Sequence, residues 1–264
     1  MVTRIAVAGI GGRMGREIVS LAAADPEAIV TGGSVRSGTI NDRDFASVTG
    51  VAIPDARVVD SIDSLLSDAH VLIDFTTASA SGAIVSAALR AHCPLVVGTT
   101  GLTDEQVGTL RDAAKTIPVF YARNMSLGVN AVLSILPALV RALSGYDIEI
   151  TEAHHRHKKD SPSGTALAIA EVIIDAMNGN LKDALVYGRE GIQPRRSGEI
   201  GMHSIRGGGN AGEHTVLFAD EGEQIQLVHR AYSRRTFASG AVRAAHFTVK
   251  QKPGFFTMAD LVGG

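Results

Sequence analysis

The chain has no tryptophan, one cysteine and eight prolines among 264 residues. A lone Cys93 excludes an intrachain disulfide, so the fold must rest on its apolar core, and a reducing cytoplasm is the simplest home for it. No apolar run approaches the roughly 20 residues that span a bilayer, so no membrane partner is expected. The opening Met-Val-Thr-Arg passes at once into a strand pattern and does not read as a secretory leader. An excess of one charge is missing too: 25 basic residues face 27 acidic ones, for a formal net charge of −2. That balance gives no electrostatic ground for a nucleic-acid partner. Internal repeats, low-complexity tracts and a Pro/Ser-rich linker are all absent.

Glycine, by contrast, is plentiful (29 residues), and many glycines fall where a strand turns into a helix. Arg4–Ala8, Ile29–Val35, Val71–Phe75, Leu95–Gly98 and Val119–Tyr121 read as short buried strands, the second weakened by Gly32 and Gly33. Helical patterns lie between them at Arg13–Ala24, Ala80–Ala91 and Asp104–Lys115. This alternation predicts an α/β fold with a Rossmann-type, doubly wound parallel sheet. The pattern changes near Asn124. Ser126–Leu143 is an apolar helix interrupted or kinked at Pro137, Asp147–Ala153 an alternating strand, and Ser163–Met177 a helix capped by Ser163. Glu213–Ala219 and Gln224–His229 flank the turn Asp220-Glu221-Gly222 and predict a hairpin. Arg206–Gly212 is the most flexible stretch by composition, either a mobile loop or a turn. From Ser233 the tail reads as helix, short strand and turn. We expect a dinucleotide-binding domain over 1–126 and 235–264, and a second α+β domain over 127–234 for substrate binding and tetramerisation.

The run Gly9-Ile10-Gly11-Gly12-Arg13-Met14-Gly15 joins the first strand to the first helix. Glycines there permit a tight turn and close approach of a pyrophosphate, and the helix start offers N–H groups and a positive dipole end. The spacing is G-x-x-G-x-x-G rather than the strict dinucleotide fingerprint, because Met14 holds the third glycine position. Such folds often place an acid after the second strand to bind the ribose hydroxyl. Here Val35-Arg36 stand there, with no carboxylate before Asp42. Arg36, with Arg13 and Arg16 nearby, suits the 2′-phosphate of NADPH, so NADPH should bind at least as well as NADH. Gly98-Thr99-Thr100-Gly101, Ala122-Arg123-Asn124-Met125 and Asp74-Phe75-Thr76-Thr77 each follow a strand and belong to the same sheet edge.

The densest chemistry lies in Glu152–Thr165. His154, His155 and His157 fall within four residues, Lys158 and Lys159 follow, and Pro162-Ser163-Gly164-Thr165 opens a helix. The N–H groups of Gly164 and Thr165 can bind one carboxylate and the cations a second, which predicts a small dicarboxylate ligand. A histidine, or a lysine among other cations, can supply a proton near neutral pH. A solvated basic loop is the plainer alternative. The histidines lack the spacing of common zinc sites, and strand alternation would turn His155 away from His154 and His157, so no metal is expected.

These residues carry a family resemblance along almost the whole chain. Gly12-Arg13-Met14-Gly15, Asp74-Phe75-Thr76, Gly98–Gly101, Asn124–Asn130, the Glu152–Thr165 block, His203–Gly209 and Gly212–Val216 together resemble the 4-hydroxy-tetrahydrodipicolinate reductases of the diaminopimelate route to lysine. The resemblance implies hydride transfer from a nicotinamide to ring C4 after loss of the hydroxyl as water. It implies that His154 donates a proton, that Lys158 is a second donor, that His155 binds substrate, and that Gly164 and Thr165 cradle its carboxylate. Gly9, Ile10, Gly11, Gly12, Arg13, Met14, Gly98, Thr99, Thr100, Ala122, Arg123, Asn124 and Met125 correspond to contacts of NADH or NADPH, and a homotetramer is implied. Three positions depart from the family pattern: Val35 replaces a common acid, Arg123 a small residue or proline, and Met125 an aromatic. His203, His214 and His229 are expected to be structural.

Two rivals differ in chemistry. A semialdehyde dehydrogenase needs a cysteine nucleophile at the cofactor crevice, whereas Cys93, just before Pro94, should sit at the opposite edge of the sheet. A non-catalytic redox sensor that binds NAD(P)H would leave the His/Lys block without a task.

Overall fold

The computed structural model describes residues 2–36, 38, 44–180 and 184–263. Asp42 lies outside them. The chain divides into two compact units. One comprises the described residues up to Leu127 and those from Arg234 onward; the other is Gly128–Ser233.

The first unit is built on a seven-stranded parallel sheet. Its strands are β1 (Thr3–Ala8), β2 (Ala28–Ser34), β3 (Arg57–Val59), β4 (Val71–Asp74), β5 (Leu95–Val97), β6 (Pro118–Tyr121) and β12 (Gly254–Phe256), in the spatial order β12-β6-β5-β4-β1-β2-β3. The strands read as unbroken apolar runs because both faces are covered. Along β1, Ile5 and Val7 enter one core, and Ala6 and Ala8 the other. The first core lies under α1 (Arg13–Ala23) and α8 (Arg235–Thr248). The second lies under α3 (Asp63–Leu66), α4 (Ala78–Arg90) and α5 (Asp104–Ala113). In α1 the buried Gly15, Ile18, Val19 and Ala22 fall on one helical stripe. Two short helices complete the unit, α2 (Phe45–Thr49) and α9 (Met258–Val262). The chain winds outward from β1 to β3, then returns to β4 on the other side of β1. Ligands of such sheets bind where that reversal opens the carboxyl ends of the strands.

Gly32 and Gly33 do not merely weaken β2. The register between β1 and β2 slips between Ile5 and Ala6, and Gly32 adopts a φ of +145° there. A Cβ on Gly32 would stand 2.3 Å from the Arg57 carbonyl oxygen, and one on Gly33 2.1 Å from Ile10 Cγ2. The glycines permit a bulge and close approach on both sides.

The second unit holds a mixed five-stranded sheet in the order β11-β10-β7-β9-β8. The strands are β7 (Asp147–His154), β8 (Leu185–Tyr187), β9 (Ile200–Arg206), β10 (Gly212–Ala219) and β11 (Gln224–Ala231). β10 and β11 form the expected hairpin. α6 (Leu127–Ala142) and α7 (Gly164–Ala176) supply apolar side chains to the core on one face. α6 runs on through Pro137 rather than being interrupted there. β8 and β9 were not predicted: one is three residues long, and the other ends in alternating polar residues that hide its period.

Candidate active site

In the first unit, β1 ends in a turn that the glycines make possible. Gly9 has a φ of +83°, and a Cβ on Gly15 would lie 2.2 Å from the Gly9 carbonyl oxygen. The N–H groups of Gly9 and Ile10 donate to Ser34 O, and that of Gly12 to Gly9 O. The first-turn N–H groups of α1, at Arg13, Met14 and Gly15, have no carbonyl one turn earlier within the helix. Gly12 caps that helix without a side chain, and its first turn carries no acid. A pyrophosphate fits this start: it can approach the backbone at Gly11 and Gly12 and meet amide donors and the dipole end of an eleven-residue helix.

The expected flanking segments share that edge. A Cβ on Gly9 would touch Thr76 Cγ2 at 3.1 Å, so the β1 turn abuts the end of β4. Asp74, fully buried at that end, accepts from Thr76 N (2.9 Å) and Thr76 Oγ1 (2.6 Å), while Thr76 N also donates to Thr99 Oγ1 (3.0 Å). Burial pushes the Asp74 carboxyl up, against the pull of bonds from Thr76 and Thr99. Thr99 is therefore occupied in joining β4 to β5, and Gly98 packs where any side chain would strike the Phe75 ring. Thr100 and Arg123 are exposed, and Ala122 and Asn124 partly so. Arg13 and Arg36 are also exposed. Ile10 and Met125 are different: both side chains are buried in the apolar core, leaving only their main chain for a ligand. Cys93 is buried just ahead of β5, its thiol pushed up to about 12 by burial. That is the edge opposite the glycine turn and a poor setting for a thiolate nucleophile.

In the second unit, the buried faces of β7 and β10 change character along their length. Ile148 and Ile150 on β7 give way to Glu152 and His154; on β10, Phe218 and Val216 give way to His214 and Gly212. Period two places each series on one face, and Glu152 pairs with His214 across the strands. Buried polar groups need partners, and here they find one another. His154 Nδ1 lies 2.6 Å from Glu152 Oε2. Arg206 grips the same carboxylate with Nη2 on Oε1 (2.6 Å) and Nη1 on Oε2 (2.8 Å), and Ser163 N donates to Oε1 (3.1 Å). Burial alone would push the Glu152 carboxyl up; bonds from Arg206, Ser204 and His154 pull it down to about 2. Burial also lowers His154, opposed by Glu152 and assisted by the nearby Lys158 and Arg206 charges.

Ser163 caps α7 as predicted, its Oγ accepting from Ala166 N (3.1 Å) and lying 3.0 Å from His214 Nε2. Gly164 and Thr165 follow as the first residues of that helix, Gly164 exposed and Thr165 partly buried. Lys158 Nζ pairs with Asp160 Oδ2 at 2.9 Å and holds that carboxyl below its usual range. β7 ends at His154 and the chain turns, with Lys158 N donating to His155 O. Strand alternation therefore does not separate His155 from His157; their rings stand 6.1 Å apart. Among the described residues no cluster of His, Cys, Asp and Glu is arranged to hold a metal ion.

Of the two expectations for the Arg206–Gly212 stretch, a mobile loop or a turn, the chain forms a turn at Gly208-Gly209. Arg206 ends β9, and the loop beyond it is tied to the histidine segment by Gly207 N to His154 O, His155 N to Asn210 O and Arg156 N to Gly208 O. His203 lies on the other face of the sheet, 2.6 Å from Glu149 Oε2. His214 belongs to the polar cluster, driven down to about 4, first by burial and then by the adjacent His154 and His229. Sequence reading gave no role to Glu152 or Arg206. The i, i+2 spacing of Glu152 and His154 on a strand was an available signal. For Arg206 there was none, because its proximity comes from the β7–β9 register, which pairs it with His154.

Known proteins share both units. Residues 3–125 match the model of the dihydrodipicolinate reductase N-terminus, and residues 128–262 that of the C-terminus. A 4-hydroxy-tetrahydrodipicolinate reductase of Rubrobacter xylanophilus is 44% identical over 98% of both chains. That of Methylococcus capsulatus is also 44% identical, over 100% of this chain and 99% of its own. Among solved structures, a dipicolinate-bound dihydrodipicolinate reductase from Paenisporosarcina sp. TG-14 superposes with a TM-score of 0.80 at 25% identity, covering 98% of this chain and 99% of its own. With a glycine-turn sheet in one unit, a buried Glu–His pair beside a helix start in the other, and relatives matched from end to end, the chain belongs to the dihydrodipicolinate reductase family.

Proposed function

We propose that this chain is an NAD(P)H-dependent oxidoreductase that reduces 4-hydroxy-tetrahydrodipicolinate to tetrahydrodipicolinate, the reductase step of the diaminopimelate route to lysine. The observation that carries this reading is the buried Glu152–His154 pair set beside the first turn of α7, in a chain whose full-length relatives bear that reductase name. The first unit binds the cofactor through Gly9–Met14, Gly98–Thr100 and Ala122–Met125. When bound, the reduced nicotinamide supplies the hydride that adds at ring C4 once the hydroxyl has left as water. Arg36 favours NADPH, with NADH also accepted.

The second unit holds the di-acid. The N–H groups of Gly164 and Thr165 meet one carboxylate at the positive end of α7, and His155 and the basic loop meet the other. His154 gives a proton to the carbon beside the one that receives hydride, and Lys158 is the second donor. A dipicolinate-bound structural relative supports a small dicarboxylate as the ligand. The outer sheet face exposes Ile205 and Val228, which supports a homotetramer joined through these sheets. The near-neutral charge balance and the single buried cysteine support a cytoplasmic enzyme.

The test is NAD(P)H oxidation with substrate generated in situ from pyruvate and aspartate semialdehyde. Wild type turns over, and His154→Ala and Lys158→Ala each lose about 10²–10⁴ in kcat. A wild-type chain that binds NAD(P)H yet shows no turnover would be a redox sensor instead.

A further inference from the structure

Glu152 moves no proton in the chemistry proposed above, yet one of its carboxylate oxygens is held against His154 Nδ1. It sits on the face of β7 shared with His154 and is fully buried. One carboxylate oxygen meets His154 Nδ1 at 2.6 Å, and the other accepts from Ser163 N at 3.1 Å. Arg206 spans both oxygens, and is itself held by Nη2 to Asp160 O (2.8 Å) and Nη1 to Ile205 O (2.7 Å). A carboxylate so gripped can only accept, so the hydrogen on this contact belongs to His154 Nδ1. In the neutral ring the lone pair then lies on Nε2, which faces Gly212, where even a Cβ would stand 3.0 Å away.

We propose that Glu152 is the positioning residue of the reaction: it fixes His154 in the tautomer that exchanges its proton at Nε2, and ties that ring through Ser163 to the first turn of α7. The proposal rests on the reading of His154 as proton donor. Arg206 complements it by keeping Glu152 ionised while offsetting part of its field at His154. The charged and titratable groups around the His154 ring are Glu152 from its own strand, Lys158 from the following loop, Arg206 from β9 and His214 from β10. Only Glu152 among them favours the imidazolium.

Two measurements test this. In wild type labelled with ¹⁵N-histidine, the His154 signals, assigned from their loss in His154→Gln, should show a protonated Nδ1 and a bare Nε2 at a pH where the ring is neutral. The opposite tautomer overturns the proposal without any variant at Glu152 having to fold. The second is the kinetics of Glu152→Gln and Glu152→Asp. Glu152→Gln should lose about 10²-fold in kcat with KM for the substrate held within about threefold. Its activity, which declines as pH rises and the imidazolium is lost, should decline about one pH unit lower than in wild type. Glu152→Asp should recover part of both. A folded Glu152→Gln variant with wild-type kcat and pH profile, while His154→Ala is inactive, sinks the role of Glu152 alone. Full activity in His154→Ala sinks the underlying reading as well.

Discussion

The rings of His214 and His154 meet edge to face, 5.2 Å between centroids and 75° apart in plane. Both imidazoles are buried and both are driven toward the neutral form, His214 down to about 4. A depressed histidine binds its proton more weakly in the folded chain than in the unfolded one, so folding loses stability as pH falls from the unfolded value of 6.5 toward 4. Glu152 acts in the same direction but later: its stabilising effect is complete above 4.5 and fades as pH falls toward 2. Urea melts of wild type and His214→Gln across that range should show the variant with a shallower decline between pH 6.5 and 4. The difference should be on the order of 3 kcal/mol. Parallel slopes for the two proteins would refute the assignment.

The partly exposed Arg206 pairs with the fully buried Glu152, and losing the arginine strands the buried carboxylate. Arg206→Met should cost about 3 kcal/mol of stability, more than a surface arginine would, because the Glu152 carboxylate remains buried without its cation. Chemical denaturation at pH 7 measures it; a change below about 1 kcal/mol would place Arg206 with ordinary surface pairs.

Ser163→Ala removes the side-chain acceptor of Ala166 N at the start of α7 and the partner of His214 Nε2. A lost N-cap costs about 1 kcal/mol. The substrate KM should rise as the first turn loosens, while the dissociation constant of NAD(P)H stays put. A weakened cofactor affinity in this variant would contradict the division of labour between the units.

Gly15→Ala places a Cβ 2.2 Å from Gly9 O and 2.7 Å from Ile10 Cα, both backbone atoms that cannot swing aside. The glycine turn must open, with a loss of about 1–3 kcal/mol in stability. Fluorescence titration should show NADPH and NADH weakened together. Unchanged binding of both would mean that the cofactor does not use this turn.

Arg36→Ala separates the two cofactors. A charge-assisted bond to the 2′-phosphate is worth about 1.5–3 kcal/mol, so NADPH should weaken by at least about tenfold while NADH is unaffected. Competitive titration of one against the other reads the ratio directly, and equal losses would remove Arg36 from the phosphate site.

The parallel sheet was legible because strands buried on both faces leave plain apolar runs, as in Arg4–Ala8 and Val71–Phe75; in the second unit, Ser163 announces α7. β3 and β8 are short and only their middle residue is buried, so they carry too little apolar pattern to be seen, whereas the equally short β5 is apolar and buried throughout. Gly32 and Gly33 looked like weak points because a one-dimensional reading cannot tell a missing side chain from a close approach. Within the candidate site, His154, Lys158, Gly164 and Thr165 stand together in sequence, and their chemistry could be read there. Met125 and Ile10 could not be judged the same way, since burial depends on what packs against them.

Fold class, family and the side chains chemically suited to carry a proton could be read along the chain, since periodicity and local side-chain chemistry are written there. The full set of neighbours around His154 emerges with the folded arrangement. Its carboxylate partner needs strand alternation to face it, Arg206 needs the β7–β9 register to arrive beside it, and Ser163 N needs α7 to start where it does. The Arg206–Glu152 contact joins residues 54 positions apart, and no local pattern encodes it; the i, i+2 spacing of Glu152 and His154 and the cap at Ser163 are local, but only the fold brings all three around one ring.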